Sequence, residues 1–407
     1  MTYDENIEWL YSTIKFGIKL GLENPTKLLV EFGVDAQLEG RKILHVAGTN
    51  GKGSVCAFSE QILSDAGLKV GLYTSPHLVT IRERFKINGE LIAEEELSRL
   101  IEFVRSKTAN WEHSPTFFEI TFLVGLLAFC QADCDVIILE TGLGGRLDAT
   151  NSVKADVSVI TQISLDHQAI LGDTIREIAG EKAGIIKPEV PVIVADVHPE
   201  ARDVIGRRAL TLGVPYIEAH PIPEDWILGI PGAHQRENAS LAVEATCRIE
   251  EDKLTLEGIQ KSIAKTVWPG RFQLIEEENL ILDGAHNAGA IAALVETWHS
   301  HYPEQKTHIV FGTSRETEAD DFLALLEPIA ASFTLVPFTS DRSATAEELN
   351  QLLEKQGSIP TSLADSVTDA LAGRARTEAP TLIVGSLFLV GEVIASITGV
   401  DLEVTNQ

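Results

Sequence analysis

The chain contains little cysteine, and none of it is spaced for metal binding. Its 407 residues include four cysteines, and no two of them form a CxxC pair. This scarcity excludes a disulfide framework and a CxxC-type zinc site. Cys130 and Cys134 lie one helical turn apart in an apolar stretch, whereas Cys56 and Cys247 stand alone. We interpret them as reduced core thiols rather than as metal or redox groups.

Positive charge is also scarce in this sequence. Lys and Arg total 33 against 60 Asp and Glu, which leaves a formal net charge of −27 at pH 7. Such an excess opposes binding to polyanions, so we expect neither nucleic acid nor a membrane as a partner. Any phosphate must then be bound by a few local groups. We interpret the acidity itself as a solvated surface.

Long hydrophobic runs are absent, and the N-terminal stretch is acidic where a secretory signal would be basic. These features predict a cytoplasmic protein. Apolar residues make up 44% of the chain and charged residues 23%, which is typical of a globular protein. The length suits two or three domains, of which we expect two, and we expect a monomer.

The sequence does contain a glycine-rich run at residues 45–54, directly after a short apolar stretch. Its three glycines allow successive N–H groups to point at phosphate oxygens, and Lys52 adds a positive charge. The Walker motif places Ser or Thr directly after the lysine, whereas Gly53 intervenes here before Ser54. An ordinary turn is the alternative interpretation. The run predicts a site for a nucleoside triphosphate.

Apolar strands alternate with helical patterns through the first two thirds of the chain, which predicts a parallel sheet covered on both faces. The predicted strands are Lys42–Ala47, Val70–Tyr73, Val136–Glu140, Val157–Ile163 and Val190–Ala195, and the predicted helices are Ser54–Ala66, 116–131 and 174–183. Four polar runs follow predicted strands directly, at residues 48–54, 74–77, 140–151 and 164–167. Because ligands collect at the carboxyl ends of parallel strands, we expect these runs on one rim.

A Pro-Gly break at Trp268–Arg271 marks a boundary, so we predict domains 1–267 and 268–407. A second alternation follows, with strands Asn279–Asp283, Thr307–Phe311, Phe333–Pro337 and Thr381–Val384 and helices Ala288–His299, Asp320–Ala331 and 387–397. The predicted fold class is α/β, a P-loop-type central domain with a parallel sheet followed by a smaller Rossmann-like α/β domain.

Two side chains beyond predicted strands are candidate metal ligands. Glu140 suits Mg²⁺, which prefers oxygen ligands beside phosphates, although the carboxylate could equally cap N–H groups of its own loop. His167 is a candidate ligand in the company of Glu140 and Ser75, and a structural histidine otherwise.

Three further candidates are charged. Lys182, near the end of a predicted helix, is either an amine with a lowered pKa or a cation that complements the helix dipole. Asp283 and His286 follow a strand and precede a helix. Arg271 stands at the predicted hinge, where an arginine can bind phosphates and closure can exclude water.

Together these runs resemble folylpolyglutamate synthase and dihydrofolate synthase, members of the Mur ligase superfamily. The resemblance extends from Gly21 to Gly391, and its motifs follow the order of the family. They read HVAGTNGKGS, TSPHL, TFFE, GLGGRLDATN, SLDH with EKAGIIK, GAHQRENA, and WPGR with LDGAHN. The chain is identified on these motifs as a member of that family.

The resemblance implies a role for each matching residue. Lys52, Lys182 and His286 would be catalytic, and Lys182 would carry a carbamate formed with CO₂. ATP would be bound by Asn50, Gly51, Lys52, Gly53, Ser54, Asn238, Arg271 and Asp283, and Mg²⁺ by Ser75, Glu140 and His167. The pterin substrate would contact Gly17, Ile18, Lys19, Leu20, Thr116, Phe117, Phe118, Glu119, Leu147, Asp148 and Ala149.

The implied reaction adds L-glutamate to dihydropteroate and to reduced folates such as tetrahydrofolate through an acyl phosphate, with ATP as co-substrate. Positioning and charge neutralisation are the catalytic effects expected of such phosphoryl transfer. Alternatives are an enzyme with one of the two activities, a cell-wall Mur ligase, and a nucleotide-binding paralogue without catalysis. The TSPHL and GLGGRLDATN runs disfavour the cell-wall ligase.

The sequence departs from the family pattern in a few places. Ala288 stands where proline often follows His-Asn, and Thr141 stands where valine is common. The run 312–316 lacks the usual Lys-Asp-Lys-Asp-like pattern, which puts the contacts of that loop in doubt. Lys19 occupies a position where an acid can occur.

Overall fold

The computed structural model describes residues 2–17, 19–315, 319–354, 359–374 and 379–403. Ile18 and Glu316 lie outside the described residues. The chain divides into two compact units. The first comprises Met1–His77, Arg82–Gly229 and Arg236–Thr266, and the second Leu78–Ile81, Ile230–Gln235 and Val267–Gln407.

The first unit is built on an eight-stranded sheet. Its strands are β1 (Lys42–Ala47), β2 (Val70–Tyr73), β3 (Phe85–Ile87), β4 (Glu90–Leu91), β5 (Val136–Glu140), β6 (Val157–Ile160), β7 (Val192–Val194) and β8 (Tyr216–Glu218). They are ordered β4-β3-β2-β5-β1-β6-β7-β8. The six strands β2, β5, β1, β6, β7 and β8 are parallel to one another, as predicted. The β3–β4 hairpin joins antiparallel at the edge and was not predicted.

Helices cover this sheet. They are α1 (Tyr3–Ser12), α2 (Glu23–Glu31), α3 (Val34–Gln37), α4 (Lys52–Asp65), α5 (Glu94–Thr108), α6 (Phe117–Gln131), α7 (Gln168–Leu171), α8 (Ile175–Lys182), α9 (Pro199–Leu212), α10 (Ala233–Ile249) and α11 (Leu256–Lys265). The apolar helix α6 is buried around almost its whole circumference, which explains why it lacks a polar stripe. Short 3-10 helices lie at Thr13–Phe16, Ile81–Arg84, Ala149–Ser152 and Ala183–Ile185.

The second unit contains a six-stranded sheet ordered β13-β12-β11-β14-β10-β9, in which only the described edge strand β9 runs antiparallel. Its strands are β9 (Gln273–Ile275), β10 (Leu280–Leu282), β11 (Thr307–Phe311), β12 (Ala330–Leu335), β13 (Thr361–Leu363) and β14 (Thr381–Val384). The helices are α12 (Ala288–His301), α13 (Ala319–Leu326), α14 (Ala346–Leu353), α15 (Val367–Gly373) and α16 (Leu387–Thr398). Separate core clusters lie around Phe311 and around Val310, because neighbouring strand residues face opposite sides.

Several predicted boundaries are wrong, among them that of the strand predicted at Phe333–Pro337, which runs from Ala330 to Leu335. The helix predicted at Asp320–Ala331 ends at Leu326 and continues as a 3-10 turn, Glu327–Ile329, since Pro328 lacks an N–H group for the helix. The strand predicted to reach Ile163 ends at Ile160, and the side chain of the next residue, Thr161, donates to Asn50 O over 2.6 Å. The division 1–267 and 268–407 remains a prediction, and the structural units differ from it in the segments 78–81 and 230–235.

Candidate active site

The predicted rim is confirmed within the first unit. Strands β2, β5, β1 and β6 are neighbours and run parallel, so their carboxyl ends lie side by side. Residues 74–77, 140–151, 48–54 and 161–167 follow these ends in that order. The topology therefore brings the glycine-rich loop, Ser75, Glu140 and the run before His167 to one edge of the sheet.

Close approach requires glycine at two positions of the loop between β1 and α4. A Cβ atom on Gly48 would stand 1.8 Å from Thr161 Oγ1, and one on Gly51 would stand 2.3 Å from Asn238 Oδ1. Gly51 also has a φ of 88° and directly precedes α4, which begins at Lys52. The loop is thus held in a conformation that other residues adopt only with strain.

Hydroxyl groups that the sequence did not single out brace this loop. Thr49 Oγ1 donates to Ser164 O over 3.1 Å and accepts from Ser164 N over 3.2 Å. Asn50 Nδ2 donates to Ser164 Oγ over 3.3 Å. Ser and Thr beyond a strand are too common to mark such a brace in a sequence. The side chain of Ser54 is buried, and its Oγ has no hydrogen-bond partner within the described part of the chain.

Two lysine side chains converge on the carbonyl of Gly48. Lys52 Nζ donates to Gly48 O and to Thr49 O, each over 3.1 Å, and Lys182 Nζ donates to Gly48 O over 2.7 Å. Lys182 is only 4% exposed. Burial, helped by the positive charge of Lys52, lowers the pKa of Lys182 to about 7. The geometry favours the interpretation as an amine with a lowered pKa over that of a solvated helix-end cation.

Glu140 and Ser75 are in direct contact. Ser75 N donates to Glu140 Oε2 over 3.0 Å, and the glutamate is 5% exposed. The loop after β5 is capped by another acid, because Asp148 Oδ2 accepts from Gly142 N and Leu143 N, each over 2.9 Å. Asp148 therefore caps the loop after β5.

His167 lies at the start of α7 with a φ of 49°, and about half of its side chain is exposed. Its Nε2 lies 3.9 Å from Asp166 Oδ1. Over the described residues no group of three or more His, Cys, Asp or Glu side chains is arranged to hold a metal ion. The oxygen of Glu140 fits a hard cation such as Mg²⁺, which typically keeps water and phosphate oxygens among its ligands.

A buried network behind Ser75 was missed by sequence reasoning. Arg84 is fully buried, and its Nε donates to His77 Nδ1 over 2.9 Å. His77 Nε2 lies 3.4 Å from the hydroxyl of Tyr11, whose ring stacks on Phe117 at a centroid distance of 5.6 Å. The Arg84 guanidinium lies 5.2 Å from the centre of the same Phe117 ring. An arginine in a run of mixed charge gives no signal of such burial.

The predicted pterin segment 116–119 begins helix α6 and lies close to the rim. Thr116 and Glu119 form a capping box at the start of α6, with Glu119 Oε2 accepting from Thr116 N over 2.6 Å. Burial raises the pKa of Glu119. Phe118 packs close to Gly142, where an added Cβ would stand 2.4 Å from Phe118 Cζ. Segment 116–119 thus meets the loop after β5.

The chain directly after the predicted 17–20 stretch contacts the 147–149 stretch. Gly21 N donates to Leu147 O over 3.2 Å. Gly17 has a φ of 67°, Lys19 and Leu20 are exposed, and Ala149 is buried. An open surface depression of about 780 Å³ lies beside them and was not anticipated from the sequence. It is lined by Leu22, Glu23, Thr26, Lys27, Val30, Glu31 and Leu147.

In the second unit, Asp283 organises its own loop. Its Oδ2 accepts from Phe272 N over 2.8 Å and its Oδ1 from Ala285 N over 2.9 Å. Burial raises the pKa of Asp283, against the opposing effect of Arg271. His286 Nδ1 lies 2.7 Å from Gly284 O. Asp283, His286 and Arg271 are therefore brought together around one loop.

The departures from the family pattern fit their surroundings. Ala288 is the first residue of α12, where the N–H is free of the helix and proline is tolerated but not required. Thr141 is buried with no hydrogen-bond partner for its hydroxyl among the described residues, so valine would fit its place. In the 312–316 loop, Ser314 pairs with Ser343 and Arg315 bonds Glu348 over 3.1 Å.

Comparison with known proteins places these features in a family. Residues 46–209 match the Mur ligase middle domain, and residues 270–387 match the Mur ligase glutamate ligase domain. The dihydrofolate synthase/folylpolyglutamate synthase of Bacillus subtilis is 32% identical over 96% of this chain and 98% of its own. The Escherichia coli protein of the same description is 36% identical over 93% and 91%.

The chain belongs to the dihydrofolate synthase/folylpolyglutamate synthase family. It is an ATP-dependent ligase of the Mur ligase type. Solved structures agree with its fold. Escherichia coli FolC in complex with DHPP and ADP has a TM-score of 0.87 at 33% identity, covering 98% of each chain. The Yersinia pestis bifunctional enzyme complexed with AMPPNP and Mn ion has a TM-score of 0.85 at 30% identity, again covering 98% of each.

None of the helices in the described residues is long and apolar enough to cross a membrane.

The described cysteines are all free, with Cys56, Cys130 and Cys134 buried and Cys247 partly buried. These findings agree with the sequence-based interpretation of reduced thiols.

Proposed function

We propose that this protein ligates L-glutamate to dihydropteroate and to reduced folates, with ATP converting the acceptor carboxylate to an acyl phosphate. The observation that carries the proposal is the loop at the carboxyl end of β1. There two lysines meet the carbonyl of Gly48 beside Glu140 and Ser75, in a chain that matches bifunctional relatives along nearly its whole length.

We propose that residues 50–54 bind the phosphates of ATP. The loop ends at the start of α4, so its N–H groups and the helix dipole favour an anion there. A phosphate would draw the ammonium of Lys52 from the carbonyls of Gly48 and Thr49, since a charged acceptor binds it more strongly. Asn238, Arg271 and Asp283 are proposed to bind the nucleotide as well.

A magnesium ion is the proposed metal, bound through Ser75, Glu140 and His167. It would supply charge neutralisation for the phosphates of ATP. The buried carboxylate of Glu140 provides the hard oxygen ligand that such an ion prefers. The backbone N–H of Ser75 donates to that carboxylate, and the Ser75 hydroxyl belongs to the same residue. The relative complexed with an Mn ion supports a divalent metal here.

Lys182 is the proposed site of carbamylation. Only a neutral amine adds CO₂, and burial gives Lys182 a pKa of about 7, so a large fraction of it is neutral at physiological pH. The carbamate would be anionic and would lie beside the Lys52 ammonium. His286 is proposed to be a catalytic residue. The family motifs support the proposed roles of both Lys182 and His286.

The pterin acceptor is proposed to lie against segments 17–20, 116–119 and 147–149. Gly21, directly after segment 17–20, bonds Leu147, and Phe118 lies close to Gly142 in the loop that also contains residues 147–149. Both carboxylate oxygens of Asp148 accept hydrogen bonds from N–H groups of its own loop. Its contribution to the site would therefore be to shape the pocket. The relative in complex with DHPP supports this class of acceptor.

The chemistry then proceeds in two steps. An oxygen of the acceptor carboxylate attacks the γ-phosphorus of ATP, and ADP leaves. The amine of glutamate attacks the acyl carbon, loses a proton and expels inorganic phosphate, which leaves an amide. Lys52 and Arg271 stabilise negative charge on the transferred phosphoryl group. We propose a cytoplasmic monomer, in keeping with nucleotide and folate co-substrates.

Phosphate release tests the proposal. Purified protein with ATP, Mg²⁺ and L-glutamate should release phosphate when dihydropteroate or tetrahydrofolate is added, and none without an acceptor. Release with one acceptor only would reduce the function to a single synthase activity. No release with either would overturn it. Lys182→Ala should lose most activity and recover part of it with small carboxylic acids, and full activity of that variant would refute the carbamate.

A further inference from the structure

The loop that carries Ser75 is divided between the two units. The chain leaves the first unit after His77 and returns to it at Arg82, and Leu78–Ile81 belong to the second unit. Ser75 lies only three positions before Leu78 and bonds Glu140 through its N–H over 3.0 Å. Whatever holds residues 78–81 therefore acts on the loop 74–84 that presents Ser75.

The base of this loop is fixed by Arg84. Thr74 N donates to Arg84 O over 3.3 Å, and Arg84 Nε donates to His77 Nδ1 over 2.9 Å. The arginine is fully buried beside the ring of Phe117. These contacts close the loop at its base.

Glu403 binds residues 79–81 of this loop. Its Oε1 accepts from Thr80 Oγ1 over 2.9 Å and its Oε2 from Ile81 N over 2.8 Å. Its backbone N–H donates to Val79 O over 2.9 Å. Ile81 begins the 3-10 helix Ile81–Arg84, so the carboxylate also caps that helix. One residue near the chain end thus binds three consecutive residues of the loop.

Leu78 is seated by a separate set of contacts. A Cβ atom on Gly391 of α16 would stand 2.0 Å from Leu78 O, so only glycine allows this approach. The Leu78 side chain packs against the core cluster that contains Leu389 and Val390. The segment is therefore held along its whole length, by packing at Leu78 and by Glu403 from Val79 to Ile81.

We propose that Glu403 is a positioning residue for the metal-binding loop. By fixing residues 79–81 it limits the conformations open to the loop 74–84, and so keeps Ser75 aligned with Glu140. Ordering a backbone costs conformational entropy, so a loop that lost its outer anchor would leave the aligned state more often. The role of Ser75 in this statement rests on the proposed function.

The test compares Glu403→Ala with wild type by two measurements. Amide hydrogen exchange should speed up at Thr74, Ser75 and His77, roughly threefold to tenfold, because the loop opens more often. In the ligase assay the apparent KM for Mg²⁺ should rise by about threefold to tenfold, with kcat changed less than about twofold. Glu403→Gln keeps one oxygen acceptor, so its exchange rates and its KM for Mg²⁺ should lie between those of wild type and Glu403→Ala.

Glu348→Ala is the matched control. Glu348 is another acid of the second unit whose carboxylate accepts from a backbone N–H at a helix start, that of Thr345 over 2.8 Å, and it also accepts from Arg315 Nε over 3.1 Å. Its loss should leave exchange at 74–77 and the KM for Mg²⁺ as in wild type. Thr80→Val removes one bond to Glu403 and serves if Glu403→Ala fails to fold.

Unchanged exchange at 74–77 in both Glu403→Ala and Thr80→Val would overturn the proposal. Faster exchange throughout the chain, matched by Glu348→Ala, would also overturn it, because it would indicate general destabilisation. Failure of the proposed function would look different. Wild type would then release no phosphate with any acceptor, while the exchange measurement would still decide whether Glu403 positions the loop.

Discussion

At the scale of single residues, the phosphate loop depends on what lies opposite each glycine. Gly51 has a φ of 88° and faces Asn238, whereas Gly67 has a φ of 83° and faces open space within 4 Å. The two glycines share a positive φ and differ in their neighbours. They therefore separate backbone strain from crowding.

We predict that Gly51→Ala and Gly67→Ala each lower the free energy of unfolding by about 1 kcal/mol, because both place a Cβ at positive φ. Only Gly51→Ala should also displace the Asn238 side chain, and ADP affinity should fall at least about tenfold. Urea unfolding and calorimetric titration with ADP measure these effects. Equal ADP affinity in the two variants would contradict the proposed role of Asn238.

Lys182 gives the native state a dependence on pH. Its pKa is lowered from about 10.5 to about 7 by burial. Between these values the unfolded chain binds more protons at this site than the folded chain, so the folded state gains stability as pH rises. Below about pH 7 both states are protonated and the full penalty of burying the charge remains.

Lys182→Met should remove this dependence. In CO₂-free buffer between pH 7 and 10, the free energy of unfolding of wild type should rise relative to the variant by up to about 1.4 kcal/mol per pH unit. Urea unfolding across this range measures it. Lys154→Met, at a lysine whose side chain is 63% exposed, is the control and should run parallel to wild type. If the free energies of unfolding of Lys182→Met and wild type changed equally with pH, the pKa of Lys182 would not be lowered in the folded state.

At the scale of elements, capping boxes place the predicted pterin segment. Thr116 and Glu119 cap α6, and Thr345 and Glu348 cap α14, with the same pattern of bonds. The first box positions Phe117 and Phe118 at the start of a helix buried against the sheet. The same motif thus performs a local task in both units and can position a ligand in one.

We predict that Thr116→Ala and Thr345→Ala each cost about 1 kcal/mol of stability, the usual loss of an N-cap. Thr116→Ala alone should raise the KM for dihydropteroate, by roughly threefold or more, because the start of α6 shifts. Thermal unfolding and steady-state kinetics distinguish the effects. An unchanged KM in Thr116→Ala would remove segment 116–119 from the acceptor site.

At the scale of the whole molecule, the second unit is completed by residues from earlier in the chain. Leu78 packs into its core, and a Cβ on Gly232 would stand 2.8 Å from Thr297 Oγ1. Val79 and Ile81 are 6% and 0% exposed. A cut at the predicted boundary before residue 268 would remove all of these contacts from the second unit.

We therefore predict that a fragment of residues 268–407 is less stable than the same unit in the full chain, by about 2–5 kcal/mol, because it lacks the apolar groups of residues 78–81. Hydrogen exchange at strand β10, Leu280–Leu282, measures the difference. Equal protection of β10 in the fragment and the full chain would show that the predicted domain 268–407 folds independently.

Much of the fold could be predicted from the sequence because its signals are local. Strands Lys42–Ala47, Val70–Tyr73, Val136–Glu140, Thr307–Phe311 and Thr381–Val384 occur with the predicted bounds. Each is a short apolar run ended by glycine or polar residues, so composition marks both ends. Strands β3, β4, β8, β9 and β13 lie at or next to a sheet edge and were not predicted, because two or three residues carry too little periodicity.

The sequence by itself determined the alternation of strands and helices, the glycine-rich loop and the rim on which the motifs lie. Only the tertiary structure decided which groups meet there. Lys182 Nζ and Gly48 O are 134 positions apart, and Ile81 N and Glu403 Oε2 are 322 apart. No local pattern encodes such pairs, since burial and hydrogen bonding depend on how distant segments pack. The lowered pKa of Lys182 and the anchoring of the Ser75 loop arise from that packing.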